Sequence, residues 1–224
     1  MSGFIFTSYR STMTRNLYSV KKPEASPAGK AAAYHHGDLR AALIQAATAI
    51  LKERGIDGFS LREAARRAGV SPAAPQHHFG DARGLLTAVA TEGFRLLGEA
   101  LARADSAAAD RDGRIRGQGR AYVAFALDHP AEFDTMWRCA RIDTSNAAYG
   151  AAAGQAFGLL RAAVAGIPFE GGQVPTASDP KAIACWSLVH GLARLALDGA
   201  LGPGEAARGA IDAMLEPVLD CLTV

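Results

Sequence analysis

Between Ser60 and Asp81 the sequence places a helix start, a helix break and a second helix start in close succession, and this punctuation constrains the fold more than any other feature. Ser60-Leu61-Arg62-Glu63 has the form of a capping box, in which the Ser60 hydroxyl and the Glu63 carboxylate satisfy each other's free backbone N–H groups. The helix it opens runs only to about Ala68 before Gly69 breaks it. Ser71-Pro72 then joins a capping hydroxyl to proline at the first helical position, predicting a third helix, with Pro75 removing one early hydrogen bond and making that helix slightly irregular. Two short helices around a glycine-containing turn make a helix-turn-helix.

The flanking sequence supplies what such a unit needs. Upstream, Asp38 is an N-cap candidate ahead of Leu39, Ala42, Leu43, Ala46, Ile50 and Leu51, which share one helical face, and Gly55 ends that helix. Downstream, Asp81 caps a longer fourth helix whose Leu85, Val89, Leu96 and Leu97 tie the front unit to the body. Further helices are predicted near 110–128, 130–141, 146–166, 179–200 and 204–222, separated at Pro130, at the long loop 166–180 and at Gly202-Pro203-Gly204. Alanine dominates, β-branched runs are absent and no stretch alternates apolar with polar, so the class is all-α with about nine helices. The expected organisation is a disordered basic arm over 1–33, a three-helix unit over 34–80 and a helical bundle over 81–224. The arm carries Arg10, Arg15, Lys21, Lys22 and Lys30 against Glu24; a solvated tail is the expectation, with contact to phosphates or a minor groove as the alternative.

The net charge of +2 conceals an asymmetry: residues 1–90 carry 12 Lys/Arg against 6 Asp/Glu, and the remainder 12 against 16. A basic front on an acidic body is the signature of a polyanion-binding module joined to a different kind of domain. Cys139, Cys185 and Cys221 are odd in number, far apart and within apolar helical patterns, which suits reduced core thiols rather than disulfides or a metal site. The apolar cluster Phe4-Ile5-Phe6 is too short for a signal-peptide core, and the stretch Ala182 to Leu197 falls short of a membrane span and contains His190 and Arg194. A cytoplasmic protein with no membrane association is expected. As an enzyme it would have to use His190 or His129 with Asp198 or Asp128, and no nucleophile motif, phosphate loop or metal-ligand spacing accompanies them. No enzymatic activity and no cofactor are expected.

The run Gly69-Val70-Ser71-Pro72-Ala73-Ala74-Pro75-Gln76-His77-His78-Phe79-Gly80-Asp81 resembles the recognition-helix signature of the TetR family of repressors. Tyr34 to Arg40 and Ser60 to Ala65 look like the first two helices of that family. Trp186, His190 and Gly191, with the run Ala121 to Pro130, look like the branch whose C-terminal region is called the WHG domain. Two positions depart from the family pattern: Gln76 stands where a Tyr is usual, and Ala82 where a Lys opens the fourth helix, with Arg83 beside it as a substitute.

The resemblance implies a double-stranded DNA partner, with the third helix in the major groove. Ala73 and Ala74 allow close approach and methyl contact with thymine, and Gln76 can pair twice with adenine. His77 and His78 are phosphate or base candidates, with His78 and Phe79 the pair able to pack inward instead. Ser71 and Pro72 lie where a helix start meets phosphate, and Arg62, Arg66, Arg67 and Arg83 add charge.

In the last helix Ile211, Met214, Leu215, Val218, Leu219 and Leu222 follow a helical stripe, and the helix before it, with Ile183, Leu188 and Leu195, is apolar nearly all round. Such a pair predicts a two-fold four-helix interface, hence a homodimer and a palindromic operator; a stripe that only fills the monomer core is the plainer alternative. Tyr122, Phe125, Phe133 and Met136, with Trp137, Phe157, Trp186 and His190, form an aromatic set able to line a cavity for a small hydrophobic effector or simply to make core. The family resemblance favours a repressor released by such an effector; a constitutive dimeric DNA-binding protein is the alternative.

Overall fold

The alanine-rich helical patterning resolves into nine α-helices and one 3-10 turn, without strands, among the residues that the computed structural model describes: 36–171, 179–202 and 205–221. Helix α1 (His36–Arg54) buries Leu43, Ala47, Ile50 and Leu51 along one face. Its backbone is already helical at His36, so Asp38 lies inside the first turn and is not the N-cap. Gly55, at φ 67°, ends the helix and donates to the Leu51 carbonyl at 2.9 Å. A single 3-10 turn, Ile56–Gly58, buries Ile56 and leads to the short helices α2 (Leu61–Arg67) and α3 (Ala74–Phe79).

Helix α4 (Ala82–Ala107) begins beside α3 and continues through the body, burying Leu85, Leu86, Val89, Ala90, Phe94, Leu97 and Leu101. Asp81 caps it as its sequence position predicts, its Oδ1 accepting from Gly84 N at 2.8 Å. The body is completed by α5 (Arg111–Asp128), α6 (Pro130–Met136), α7 (Ala147–Ala165), α8 (Pro180–Leu197) and α9 (Glu205–Leu219). Helix α4 packs on α5, α6 and α7, and α8 packs on α5. Helix α9 rests on α5 and α8 through the buried Ile211 and Leu219, and Arg116–Asp220 and Arg120–Glu216 ion pairs fix it to α5. No helix among the described residues is long and apolar enough to cross a membrane.

Two expectations are corrected here. Helix α6 stops at Met136 instead of continuing to 141, because the chain leaves helical geometry at Trp137 and turns back toward Asn146, whose Oδ1 caps α7 by accepting from Ala148 N and Tyr149 N at 3.0 and 3.1 Å. With residues 138–141 of that turn exposed, Cys139 is not a core thiol, and Cys221 after the last helix is exposed as well; of the three cysteines, Cys185 alone is buried.

Candidate nucleic-acid interface and ligand cavity

Helices of seven and six residues do not persist alone, so the α2–α3 unit depends on its turn and its neighbours. After α2 the chain makes a Schellman turn: Gly69 N donates to Arg66 O at 3.3 Å and Val70 N to Ala65 O at 3.0 Å. This geometry requires the left-handed φ of 68° at Gly69, which a residue with a Cβ adopts only with strain. At the other end of α3, a Cβ on Gly84 would lie 1.9 Å from the Phe79 carbonyl oxygen, so α4 crosses the end of α3 at a distance only glycine permits.

The expected capping box does not form. Ser60 has extended N-cap backbone and its carbonyl accepts from Ala64 N at 3.0 Å, yet its hydroxyl caps nothing. Glu63 is drawn instead to two guanidiniums, accepting from Arg66 at 2.7 and 2.8 Å and from Arg67 at 2.9 Å. Charge-assisted bonds outcompete a neutral backbone N–H. Those same bonds lower the Glu63 pKa to about 2. Arg67 reaches Glu53 on α1 as well, at 2.6 and 2.7 Å, so Arg66 and Arg67 act as internal ties.

Helix α3 starts later than the Ser71-Pro72 pair suggests. Ala74 N donates to Ser71 O at 3.0 Å in a turn, Pro72 sits in that turn, and Ala73 is the N-cap. Ser71 therefore makes no cap, and Pro72 is not the first helical residue. Pro75 falls in the first turn of α3, where its missing N–H has no helical partner to lose, and the expected irregularity disappears.

Ala73, Gln76 and His77, at i, i+3 and i+4, share one exposed face, preceded by the exposed Ser71 and Pro72. Ala74 and His78 are half-buried. The His77 and His78 rings meet edge to face at 5.4 Å, and Arg40 lies 5.4 Å over the Phe79 ring. Arg62 and Arg83 are exposed and form no ion pair among the described residues, unlike Arg66 and Arg67.

In the body, a cavity of about 330 Å3 opens between α4, α5, α7 and α8. Its walls are Phe94, Leu97 and Leu101 from α4, Ile115, Gln118 and Tyr122 from α5, Tyr149, Ala153 and Phe157 from α7, Cys185 and Trp186 from α8, and Trp137 after α6. Of the eight aromatic and soft residues singled out in the sequence, Tyr122, Trp137, Phe157 and Trp186 line it. Phe125, Phe133, Met136 and His190 do not. Phe133 and Met136 are fully buried in the core, Phe125 stacks on His129 at 5.0 Å, and His190 stands behind Tyr122. The lining from α4, and that from α7 apart from Phe157, has no counterpart in that set. Small residues on α7, among them Ala153, Gly154 and Ala156, leave the volume that the large side chains opposite do not fill.

Trp186 Nε1 donates to the Tyr122 hydroxyl at 3.2 Å, and that hydroxyl meets His190 Nδ1 at 2.8 Å. Because the indole N–H only donates, the phenol proton is directed at Nδ1, which fixes His190 as a neutral acceptor. Burial, with the Arg194 charge, depresses the His190 pKa, and burial pushes that of Tyr122 well above the ordinary phenol value.

The segment that follows the wall residue Trp137 leads to the elements flanking α2 and α3. Arg141 Nη1 donates to Asp57 Oδ1 at 2.9 Å and Nη2 to the Ile56 carbonyl at 3.3 Å. The buried Thr87 of α4 accepts from Asp143 N at 2.8 Å and donates to Arg83 O at 2.7 Å. The 138–146 turn is thus bonded to both the 3-10 turn ahead of α2 and the first turns of α4.

The predicted dimer stripe divides. Ile211 and Leu219 are 2% and 1% exposed and belong to the monomer's own core, because α9 turns that edge onto α5 and α8. Leu215 and Val218 pack half-buried against the same core. Ile183, Leu188 and Met214 are half-buried, and Leu195 is 50% exposed. Leu222 and the 1–33 arm lie outside the described residues.

Residues 43–89 match the family model for bacterial regulatory proteins of the tetR family, and residues 115–222 match that for the tetracyclin repressor-like C-terminal domain. The chain belongs to the TetR family. Among TetR-type relatives, the HTH-type transcriptional regulator BetI of Burkholderia thailandensis is 39% identical over 89 residues, 40% of this chain; the match spans 44% of BetI's length. A protein of unknown function from Rhodococcus sp. RHA1 shares the fold at a TM-score of 0.65 and 30% identity, over 84% of this chain and 97% of that one. The regulator RolR, solved with resorcinol, matches at a TM-score of 0.51 and 21% identity, over 84% of this chain and 94% of its own.

Proposed function

We propose that this TetR-family chain is a homodimeric repressor that binds a palindromic operator and is released by a small hydrophobic molecule held in the cavity. In this reading, residues 34–80 are the DNA-binding unit and 81–224 the regulatory and dimerisation unit, with Trp186, His190 and Gly191 marking the WHG branch. The observation that carries it is the bonded path from the cavity wall at Trp137 to Asp57 and Ile56 through Arg141, and to the start of α4 through Asp143 and Thr87. A ligand that shifts Trp137 acts on the elements that orient α2 and α3, which is the differential contact a population shift needs.

At the operator, Gln76 pairs with adenine, the Ala73 and Ala74 methyls meet thymine, and His77 and His78 add base or phosphate contacts. Arg62, Arg83 and the Ser71-Pro72 turn contact phosphates. The dimer forms through α8 and α9, where Leu195, with Ile183, Leu188 and Met214, remains available after Ile211 and Leu219 are assigned to the core. Two-fold pairing sets the recognition helices about 34–36 Å apart, one DNA turn. RolR's bound resorcinol supports the ligand part of the reading.

In vitro selection of DNA by the purified full chain is expected to return a palindrome, and sedimentation a dimer at micromolar concentration. A log-log salt slope near zero on the selected DNA would remove the phosphate contacts from this reading, and a monomer would remove the two-fold interface. Trp186→Ala is expected to weaken release by ligand while leaving operator binding intact.

A further inference from the structure

Two residues that line the cavity carry a buried polar atom that no group among the described residues satisfies: Gln118 Oε1, an acceptor, and Trp137 Nε1, a donor. Gln118 is 2% exposed, and its amide orientation is determined by its neighbours. Nε2 donates to Asp105 Oδ1 at 2.7 Å and to the Leu159 carbonyl at 3.3 Å. The same Asp105 Oδ1 accepts from Arg114 Nε at 2.8 Å. Both partners of the amide nitrogen are acceptors only, so flipping the amide would set oxygen against two oxygens. Oε1 is therefore the atom left to face a donor. The Trp137 ring is fixed by edge contact with Phe94 at 5.2 Å and a tilted contact with Trp186 at 5.2 Å. Its N–H therefore cannot swing away to find another acceptor.

Among the described residues, no Lys, Arg, His, Asp or Glu lines the cavity. An ionised ligand would lose its hydration without gaining a counter-charge. A pure hydrocarbon would bind the apolar wall and leave both polar atoms unsatisfied, a recurring cost for buried groups. At about 330 Å3 the space is near the small end of ligand cavities.

Resting on the reading of this cavity as the effector site, we propose that its ligand is a neutral compound of one or two rings bearing a hydroxyl of phenolic type, which donates to Gln118 and accepts from Trp137. The aromatic walls select the ring; Gln118 and Trp137 select the hydroxyl.

Calorimetric titration of the full chain with four probes of one skeleton tests this: 2-naphthol, 2-methoxynaphthalene, naphthalene and 2-naphthoate. The naphthol is expected to bind at least about tenfold tighter than the ether or the hydrocarbon, with the anion weakest. Gln118→Leu is expected to bring the naphthol down to the level of the ether while leaving naphthalene unchanged. Trp137→Phe is expected to weaken naphthol and ether alike, since the ether keeps its acceptor oxygen. If the Gln118 variant does not fold, the four-probe ranking on the unaltered chain and the Trp137 variant decide. Equal affinity for naphthol, ether and hydrocarbon overturns the two polar poles and leaves the effector reading standing. Preference for the naphthoate overturns neutrality. Failure of all four to bind overturns both the proposal and the effector reading.

Discussion

The reading unit and the cavity body are stabilised by opposite means. Around α2 and α3, order comes from local devices: the Schellman turn at Gly69, the Asp81 cap, the close crossing at Gly84 and the Glu53–Arg67–Glu63–Arg66 cluster. Each device holds backbone in place, so the exposed face of α3 is presented rigidly. The body uses long helices and interlocking aromatic rings, and leaves about 330 Å3 between them unfilled. Unfilled volume forfeits dispersion contacts and lowers stability. The lesson is a division of labour: the α2–α3 unit is over-determined, and the cavity body retains slack, as regions that move generally do.

The sharpest break in this comparison is Gly84→Ala. With a Cβ 1.9 Å from the Phe79 carbonyl, α3 must shift against α4, and overpacking of this kind costs about 1–3 kcal/mol. Operator affinity by fluorescence anisotropy is expected to fall about 100-fold, while naphthol binding in the body is unaffected. Loss of both would show that the two regions are not independent.

Ala153→Leu approaches the comparison from the other side by filling the cavity. Calorimetry is expected to show a stability gain of about 0.5–2 kcal/mol, a few degrees in Tm, with ligand binding abolished and DNA binding retained. A loss of stability would mean the space is not slack.

Arg141→Ala cuts the link between them. Its ion pair with the exposed Asp57 is worth at most about 1 kcal/mol, so stability and both separate affinities should barely change. What should be lost is the effect of ligand on DNA affinity.

The smallest effect concerns pH. Burial depresses the His190 pKa below its unfolded value, so the unfolded chain binds the extra proton first as pH falls. The His190 contribution is full above the ordinary histidine pKa and is lost as pH drops through it. Tm should therefore decline from pH 7.5 to 5.5, and His190→Gln should flatten that decline while leaving the other histidines in place.

Legibility in the sequence followed the same divide. Gly55, Gly69 and Asp81 each act where their residue type requires a local backbone event, and the helices were readable from them. Ser60, Ser71 and Pro75 misled because a cap competes with other partners: Glu63 found the arginines three and four residues on, and the start of α3 moved past Ser71, which put Pro75 in its first turn. The all-α class and most of the helix order were likewise legible. The cavity was only half so. Tyr122, Trp137, Phe157 and Trp186 could be picked out by side-chain type. Phe94, Tyr149 and Gln118 could not, because a cavity arises from volume mismatch between helices distant in sequence. The stripe on α9 shows the same limit: Ile211 and Leu219 have the right spacing for an interface, but spacing does not say which helix is met.

The central claim is that filling the cavity releases the DNA. It is tested most directly by holding the full chain on its selected, fluorescently labelled DNA and titrating 2-naphthol, with calorimetry of the same mixture reporting cavity occupancy. The account predicts that anisotropy falls to the free-DNA value as the cavity fills, and that Arg141→Ala fills without releasing. DNA that stays bound to the unaltered chain at full occupancy would contradict it.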